Sequence, residues 1–209
     1  MTLHLWLAFV AASAVLLVIP GPTILAVISY SVAHGRKAQL PLIAAVALGD
    51  STALALSLLG LGGLLAASAF WFTVVKWAGG LYLICLGVKL LRAGALPAQL
   101  ATQAAPRVST ARLFFNTYAV TALNPKGLMF FMAFLPQFLV RGEPVAPQLW
   151  LLATTFVVLA TLNATSYAMF AGAARRLLTS PRAQRRFNVA GGSLLCVAGT
   201  WALLARRPA

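Results

Sequence analysis

Two charged residues lie inside long apolar stretches of the sequence. Asp50 occurs in ALGDSTALALS and Lys126 occurs in LNPKGLMFF. In the hydrocarbon core of a membrane a charged side chain costs roughly 2.5–3.5 kcal/mol on insertion scales, so each residue should face a partner, a cavity or a ligand. A carboxylate and an ammonium can bind the two charged ends of a zwitterion. The pair therefore predicts an amino-acid site, and Asp50 is also the candidate for carrying a coupled proton.

A structural interpretation of the same pair is open at this stage. Lys126 lies near the middle of its apolar stretch, and Asp50 lies about 15 Å of helical rise into its own, half of the roughly 30 Å hydrocarbon core. The two residues are thus predicted at similar depth. A salt bridge between them would fix the register of two helices without binding any ligand.

The motif Pro20-Gly21-Pro22 interrupts the first apolar stretch. Because proline has no backbone N–H, the motif leaves the carbonyls of Leu16 and Val18 without their helical partners. We expect the helix to break or kink there. Its freed carbonyls can then accept hydrogen bonds from an ammonium group.

Asn124-Pro125-Lys126 interrupts a later stretch in the same way and is predicted to free the carbonyl of Thr121. The amino end of the half-helix that follows is the positive end of its dipole, so a substrate carboxylate is expected beside it and Lys126. A single proline in a membrane helix is usually a tolerated kink. Two breaks at corresponding positions instead predict a shared binding site.

Polar residues on two helical faces complete the predicted site. Thr121 and Asn124 lie on one face of the helix that carries Lys126, and Asn163 and Tyr167 cluster in the next apolar stretch. Such side chains bind substrate or form hydrogen bonds between helices, and both interpretations stay open. The predicted substrate-binding residues are Pro20, Gly21, Pro22, Asp50, Thr121, Asn124, Pro125, Lys126, Asn163 and Tyr167.

The composition places these residues in a membrane. The chain of 209 residues is 61% hydrophobic and 9% charged, which excludes an ordinary soluble surface. Its net charge of +14 invites a nucleic-acid interpretation, but nucleic-acid binders group their cations on a polar domain. Here the cations fall in short clusters between apolar stretches, as in the cytoplasmic loops of membrane proteins. We therefore expect an integral protein of the lipid bilayer that binds no nucleic acid.

Charged and polar clusters divide the chain into about six apolar segments, each near the ~20 residues that a spanning helix needs. Three of the connecting loops are basic and the other two are not, so the positive-inside rule places both chain termini outside the cytoplasm. The basic loops are 34–39, 92–112 and 175–186. The predicted spans are 3–33, 40–66, 70–91, 113–139, 149–173 and 187–204.

The polar segment 96–111 resembles a cytoplasmic linker between two halves, 1–95 and 112–209, of a single membrane domain. Three spans in each half invert the second half relative to the first. Inverted halves with interrupted helices are a recurrent plan of secondary transporters, whose substrate site lies at the midplane between the halves. The predicted fold is an all-α membrane protein with six transmembrane helices in two inverted three-helix halves, interrupted in helices 1 and 4.

Other classes of function fit the residues less well. The sequence has no HExxH motif, no paired aspartate motif and no midplane histidine that could activate a serine or cysteine, so an enzyme is not expected. No catalytic residue, cofactor or metal site is predicted. Two other interpretations remain: a proton or cation channel lined by Asp50, and an interaction protein without transport activity. A homodimer is also possible from the sequence. The glycines that would serve helix packing, expected within one monomer, are Gly79, Gly80, Gly87, Gly191, Gly192 and Gly199.

Four segments occur in a distinctive order and spacing: IPGPTILAVISYSVAHG at 19–35, Gly49-Asp50 with GLGG at 60–63, KWAGGLYLICLGVKLLR at 76–92, and LNPKGLMFFMAFLPQF at 123–138. The last is the most specific. PGP alone would be weak, but together the four resemble the LysE/RhtB family of bacterial amino-acid exporters over nearly the whole chain.

The resemblance implies a six-helix, multi-pass permease of the bacterial inner membrane. Such a permease exports amino acids or close derivatives such as homoserine, threonine, leucine, lysine or arginine, driven by the proton gradient. The predicted spans hold no second carboxylate beside Asp50. We therefore expect a neutral substrate rather than a dibasic one.

Overall fold

The computed structural model describes residues 1–67, 69–92, 108–140, 143–174 and 180–204. Every regular element among these residues is helical, as the sequence predicts. Short 3-10 turns at Gly35–Ala38 and Leu135–Phe138 follow the helices that end at His34 and Phe134. The helices are α1 (Leu3–Val18), α2 (Pro22–His34), α3 (Gln39–Ala67), α4 (Ala69–Arg92), α5 (Thr110–Ala122), α6 (Pro125–Phe134), α7 (Val145–Met169) and α8 (Pro181–Leu204).

Among the described residues, three helical stretches are long and apolar enough to cross a membrane, namely Pro22–Gly60, Thr110–Phe138 and Val145–Met169. Their surfaces keep large apolar side chains exposed, including Leu59 and Trp150, each 75% exposed. Soluble proteins rarely expose so much apolar surface. Most of the predicted linker 96–111 lies outside the described residues, which resume at residue 108, and α5 already begins at Thr110.

The boundary between α1 and α2 follows from the missing donors of two prolines. A helix continues only while each residue can donate to the carbonyl four positions earlier, and Pro20 and Pro22 cannot. Accordingly α1 ends at Val18. Pro22 then takes the first position of α2, where a missing N–H costs nothing because that donor has no helical acceptor.

The boundary between α5 and α6 has the same cause and one addition. Pro125 occupies the first position of α6, and the side chain of Asn124 caps the helix by accepting from the Lys126 amide at 3.1 Å. The backbone N–H of Asn124 in turn donates to the Thr121 carbonyl at 3.1 Å. The prediction that this carbonyl is freed was therefore wrong, because the turn after Ala122 supplies a donor three residues along.

A buried aromatic core lies beside both boundaries. It joins α1, α6 and α7, with Phe131 and Phe156 packed edge to face at a centroid distance of 4.6 Å. This core gives the short α6 a fixed position against its neighbours. Its fully or nearly fully buried rings are Phe9, Phe130, Phe131, Phe134, Phe138 and Phe156.

The helices α4 and α8 pack with their backbones in contact, along what we call the glycine seam: Gly80 and Gly87 of α4 against Gly192 and Gly199 of α8. A Cβ added to Gly87 would lie 2.6 Å from the Gly192 carbonyl oxygen, and one added to Gly199 would lie 2.7 Å from that of Gly80. Only glycine permits this approach. These four glycines pack helices within one chain, as expected.

Candidate functional site

The carboxyl end of α1 is the first component of the site. Four successive carbonyls, from Leu16 to Ile19, accept hydrogen bonds from side chains rather than from the helix. The carbonyls of Leu16 and Val18 are those that lose their helical donors to Pro20 and Pro22. Buried carbonyls without partners are costly in a membrane, so these side chains stabilise the break.

Lys126 supplies two of the four bonds. Its Nζ donates to the Leu16 carbonyl at 2.6 Å and to the Ile19 carbonyl at 2.8 Å. The second residue of α6 thus reaches across to the end of α1. Gly21 lies beside the lysine stem: a Cβ built on Gly21 would lie at contact distance, 3.7 Å from the lysine Cδ and 4.0 Å from Nζ.

Asn163 and Tyr167 supply the other two bonds from α7. Asn163 Nδ2 donates to the Leu17 carbonyl at 3.1 Å, and the Tyr167 hydroxyl donates to the Val18 carbonyl at 2.9 Å. The two residues are four positions apart and so lie on one face of α7. Both were predicted to bind substrate, but in this structure their donors are engaged with the protein backbone.

Asn124 connects the two helix boundaries directly. Its Nδ2 donates to Thr23 Oγ1 at 3.2 Å, while its Oδ1 caps α6. Thr23 lies in the first turn of α2. Asn124 therefore links the two boundaries, in addition to the bonds that Lys126 makes.

A cavity of about 50 Å³ lies where these elements meet. A water molecule occupies about 30 Å³ in the liquid, so the cavity is small. Its lining also includes apolar side chains from three helices, which are Ile24, Val46, Phe156 and Ala160. Five of the predicted site residues line it: Gly21, Asp50, Asn124, Lys126 and Asn163.

Asp50 is the second charged group on this cavity and is only 9% exposed. Among the residues that the structure describes, its carboxylate has no hydrogen-bond or ion-pair partner. The salt bridge with Lys126 that the sequence left open is therefore not formed here. The two opposite charges border one cavity while the ammonium is held by the α1 carbonyls.

The amino end of α2 also borders the cavity. Its first turn is capped by Gly21, which has no side chain to accept from the amides of Thr23 and Ile24. The amino end of a helix carries a partial positive charge and favours anions. The amino end of α6 differs because Asn124 already caps it.

The remaining predicted residues lie outside the cavity lining. Pro20, Pro22 and Pro125 shape the helix ends. Thr121 is buried between α5 and α3, where its hydroxyl donates to the Thr117 carbonyl at 2.8 Å and its Cβ lies 2.6 Å from the position of a Cβ built on Gly49. It packs two helices rather than facing the cavity.

Several residues at the site were missed from the sequence. Thr23 follows the PGP motif directly, and its hydroxyl could have been noted as a polar group beside the break. Val46, Phe156 and Ala160 carried no signal, because apolar residues are the rule throughout this chain. No group of metal-ligating side chains occurs in the part of the chain that the structure describes.

Comparison with known proteins identifies the family. Residues 14–206 match the family described as LysE type translocator. No solved structure matches the chain.

Curated relatives extend over most or all of the chain. The homoserine/homoserine lactone efflux protein of Salmonella typhimurium (strain LT2) is 33% identical over 206 residues, covering 98% of both chains. An uncharacterized membrane protein of Vibrio cholerae serotype O1 is 30% identical over 199 residues, covering 95% of this chain and 96% of the relative. The leucine efflux protein of Klebsiella pneumoniae subsp. pneumoniae is 26% identical over 155 residues, covering 74% of this chain and 73% of the relative. The protein is thus a membrane translocator and not an enzyme.

Proposed function

We propose that this chain, which belongs to the LysE type translocator family, exports amino acids or close derivatives across the bacterial inner membrane. The observation that carries the proposal is the cavity with Asp50 and Lys126 on its lining and no ion pair between them among the described residues. Two opposite charges that border one cavity match the two charged ends of a zwitterion. Relatives named as homoserine and leucine efflux proteins support the same substrate class.

The substrate ammonium binds Asp50 in this proposal. The Leu16 carbonyl, which the sequence predicts as a possible acceptor for an ammonium group, already accepts from Lys126, and so does the Ile19 carbonyl. Asp50 has no partner in the described part of the chain. It is therefore the acceptor available to a substrate cation.

The substrate carboxylate faces Lys126 and the amino end of α2. Lys126 has three N–H donors, of which the α1 carbonyls engage two. The uncapped amides of Thr23 and Ile24 add the positive end of a helix dipole. Both features lie on the lining of the same cavity.

The substrate side chain meets an apolar surface. Val46, Phe156 and Ala160 line the cavity, and neither they nor their neighbours on the lining offer a second carboxylate. A dibasic amino acid would have to bury a charge there without a partner. We therefore propose a neutral substrate, whose binding widens a cavity of about 50 Å³.

Asp50 carries the coupled proton in this proposal. The sequence has two acidic residues, and the other, Glu143, is exposed beside the start of α7. Intramembrane carboxyl groups are typical members of proton relays. An inward-moving proton and an outward-moving substrate ammonium then compete for the same oxygen atoms.

The proposed membrane architecture has six spans in two inverted halves, 1–95 and 112–209, joined by 96–111. The first span consists of α1 and α2, and the fourth consists of α5 and α6. Their boundaries meet at the cavity through Asn124 and Lys126. Transporters with interrupted helices place substrate at such a meeting point.

Efflux from proteoliposomes tests the function. Vesicles loaded with a mixture of labelled amino acids are followed with and without an imposed pH gradient. Wild type should release a neutral amino acid selectively, saturably and faster with the gradient. Unselective loss of all labelled amino acids would indicate a leak. A cation flux that does not saturate would indicate a channel, and either result would contradict the proposal.

Asp50→Asn in the same vesicles tests the coupling. We expect the gradient-stimulated component of efflux to disappear, because the amide cannot exchange a proton. Glu143→Gln is the matched control, since it removes the other acidic side chain of the sequence from an exposed position, and it should behave as wild type. Gradient-stimulated efflux that persists in Asp50→Asn contradicts the role of Asp50.

A further inference from the structure

The carboxyl end of α1 has the properties of a cation site. Its carbonyls of Leu16 and Ile19 converge on one nitrogen atom, at 2.6 and 2.8 Å. The carboxyl end of a helix carries a partial negative charge that attracts cations. Unwound carbonyls at helix breaks are also the groups that coordinate small cations in other transporters.

The four carbonyls at this break are not equivalent. Leu17 and Val18 accept from neutral donors, an amide and a hydroxyl, each of which makes one bond. Leu16 and Ile19 share a single charged donor. The pair, and not the whole row, is where the structure places a positive charge.

We propose that the carbonyl pair of Leu16 and Ile19 is a binding site for a small monovalent cation, which this chain fills with the ammonium group of Lys126. We call Lys126 in this role the tethered cation. It comes from α6, at the second boundary, so the charge that fills the first break is delivered by the other half of the chain. A free cation would satisfy the same carbonyls without making that link.

The tethered cation also sets the orientation of a substrate, and this consequence rests on the proposed function. With the carbonyl pair filled, Asp50 is the one anionic acceptor among the described residues of the cavity lining for a substrate ammonium. The positive charge of Lys126 then attracts the carboxylate to the opposite side. A substrate bound the other way round would place two ammonium groups together and its carboxylate against Asp50.

The test is the thermal stability of Lys126→Ala in detergent, with a small cation supplied from solution. Loss of Lys126 leaves two carbonyls unpaired and should lower the melting temperature by roughly 5–15 °C. Methylammonium or sodium chloride should recover at least half of that loss, because the alanine leaves room at the carbonyl pair. Choline chloride at equal concentration should recover none of it, because its three N-methyl groups keep the charge away from the carbonyls.

Two control variants separate a local effect from a general salt effect. Lys126→Met keeps an apolar stem in the same place, so it should lose stability without any recovery in methylammonium. Lys89→Ala removes an exposed lysine from the last turn of α4 and should respond equally to all three salts. Full stability of Lys126→Ala, or equal recovery in choline and in the small cations, would overturn the proposal.

Should Lys126→Ala aggregate in choline, the monodisperse fraction after purification becomes the readout. Recovery of that fraction in methylammonium or sodium supports the proposal, and equal loss in all salts overturns it. No amino acid enters this experiment. The stability test can therefore be interpreted even if the wild type shows no amino-acid efflux.

Discussion

Where α4 meets α8, both helices run unbroken and glycines let their backbones touch. Where α1 meets α6 and α7, the helix ends and side chains reach its carbonyls from Lys126, Asn163 and Tyr167. Both regions hold helices together in an apolar solvent, where the hydrophobic effect contributes little between them. They use close packing in the first case and hydrogen bonds in the second.

The difference separates a rigid part from a movable one. At the glycine seam a Cβ on Gly87, Gly192 or Gly199 would lie 2.6–2.7 Å from a backbone carbonyl oxygen of the facing helix, so these positions leave no room for a side chain. The groups at the α1 break can exchange partners, because an ammonium and a carbonyl each bind other ligands. If the proposed function holds, we expect the α4–α8 pair to stay fixed and the α1–α2 boundary to move when substrate binds.

Gly87→Val is the change with the largest expected effect, and it breaks the rigid side of the comparison. Its Cβ would lie 2.6 Å from the Gly192 carbonyl oxygen, which no side-chain rotation can relieve. We expect a loss of about 3 kcal/mol or more in stability, measured as the melting temperature and monodisperse yield in detergent. Gly60→Val is the control, because a Cβ on Gly60 meets no atom within 4 Å in the described part of the chain. Equal yields for the two variants would contradict the close backbone packing of α4 and α8 at the glycine seam.

Tyr167→Phe should have an intermediate effect on stability, and it tests the hydrogen bonds at the α1–α2 boundary. It removes the donor to the Val18 carbonyl and should cost about 1–2 kcal/mol. Efflux should change more than stability does, because the lost bond holds the break in place. Ser166→Ala is the neighbouring control, since its hydroxyl donates to Leu162 of its own helix. A Tyr167→Phe variant that transports like Ser166→Ala would remove this residue from the mechanism.

Gly21→Ala has the smallest expected effect and sharpens the contrast between the two kinds of glycine. Gly21 has a φ of −112°, which any residue adopts, and its Cβ would meet Lys126 Cδ at an ordinary 3.7 Å. Stability should change by no more than about 0.5 kcal/mol. Gly49→Ala, whose Cβ would lie 2.6 Å from that of Thr121, should cost about 1–3 kcal/mol. The measurement is the melting temperature of each variant. A larger decrease for Gly21→Ala than for Gly49→Ala would show that the α1–α2 boundary itself requires glycine.

The helical class and the residues that draw attention could be predicted from local pattern. Asp50 and Lys126 stand out because charges are rare in apolar stretches. Helix ends at Val18 and Ala122 lie close to prolines because proline cannot donate. Each of these inferences uses only neighbouring residues.

The partners of those residues could not be predicted in that way. Whether Lys126 faces Asp50 or the α1 carbonyls depends on how α6 is rotated against α1, over a hundred positions earlier in the chain. The aromatic rings on α6 and α7 determine that rotation by packing. Local spacing likewise suggested that Thr121 faces the cavity, whereas packing against Gly49 turns it toward α3.

The dependence of α1 on later residues bears on how the protein is made. The last three carbonyls of α1 and that of Ile19 receive donors from residues 126, 163 and 167, all of which are synthesised after α1 has left the ribosome. Until then the break must be hydrated or held by other groups, because lipid offers no donors. The helix α1 therefore reaches its final form only when α7 has been inserted.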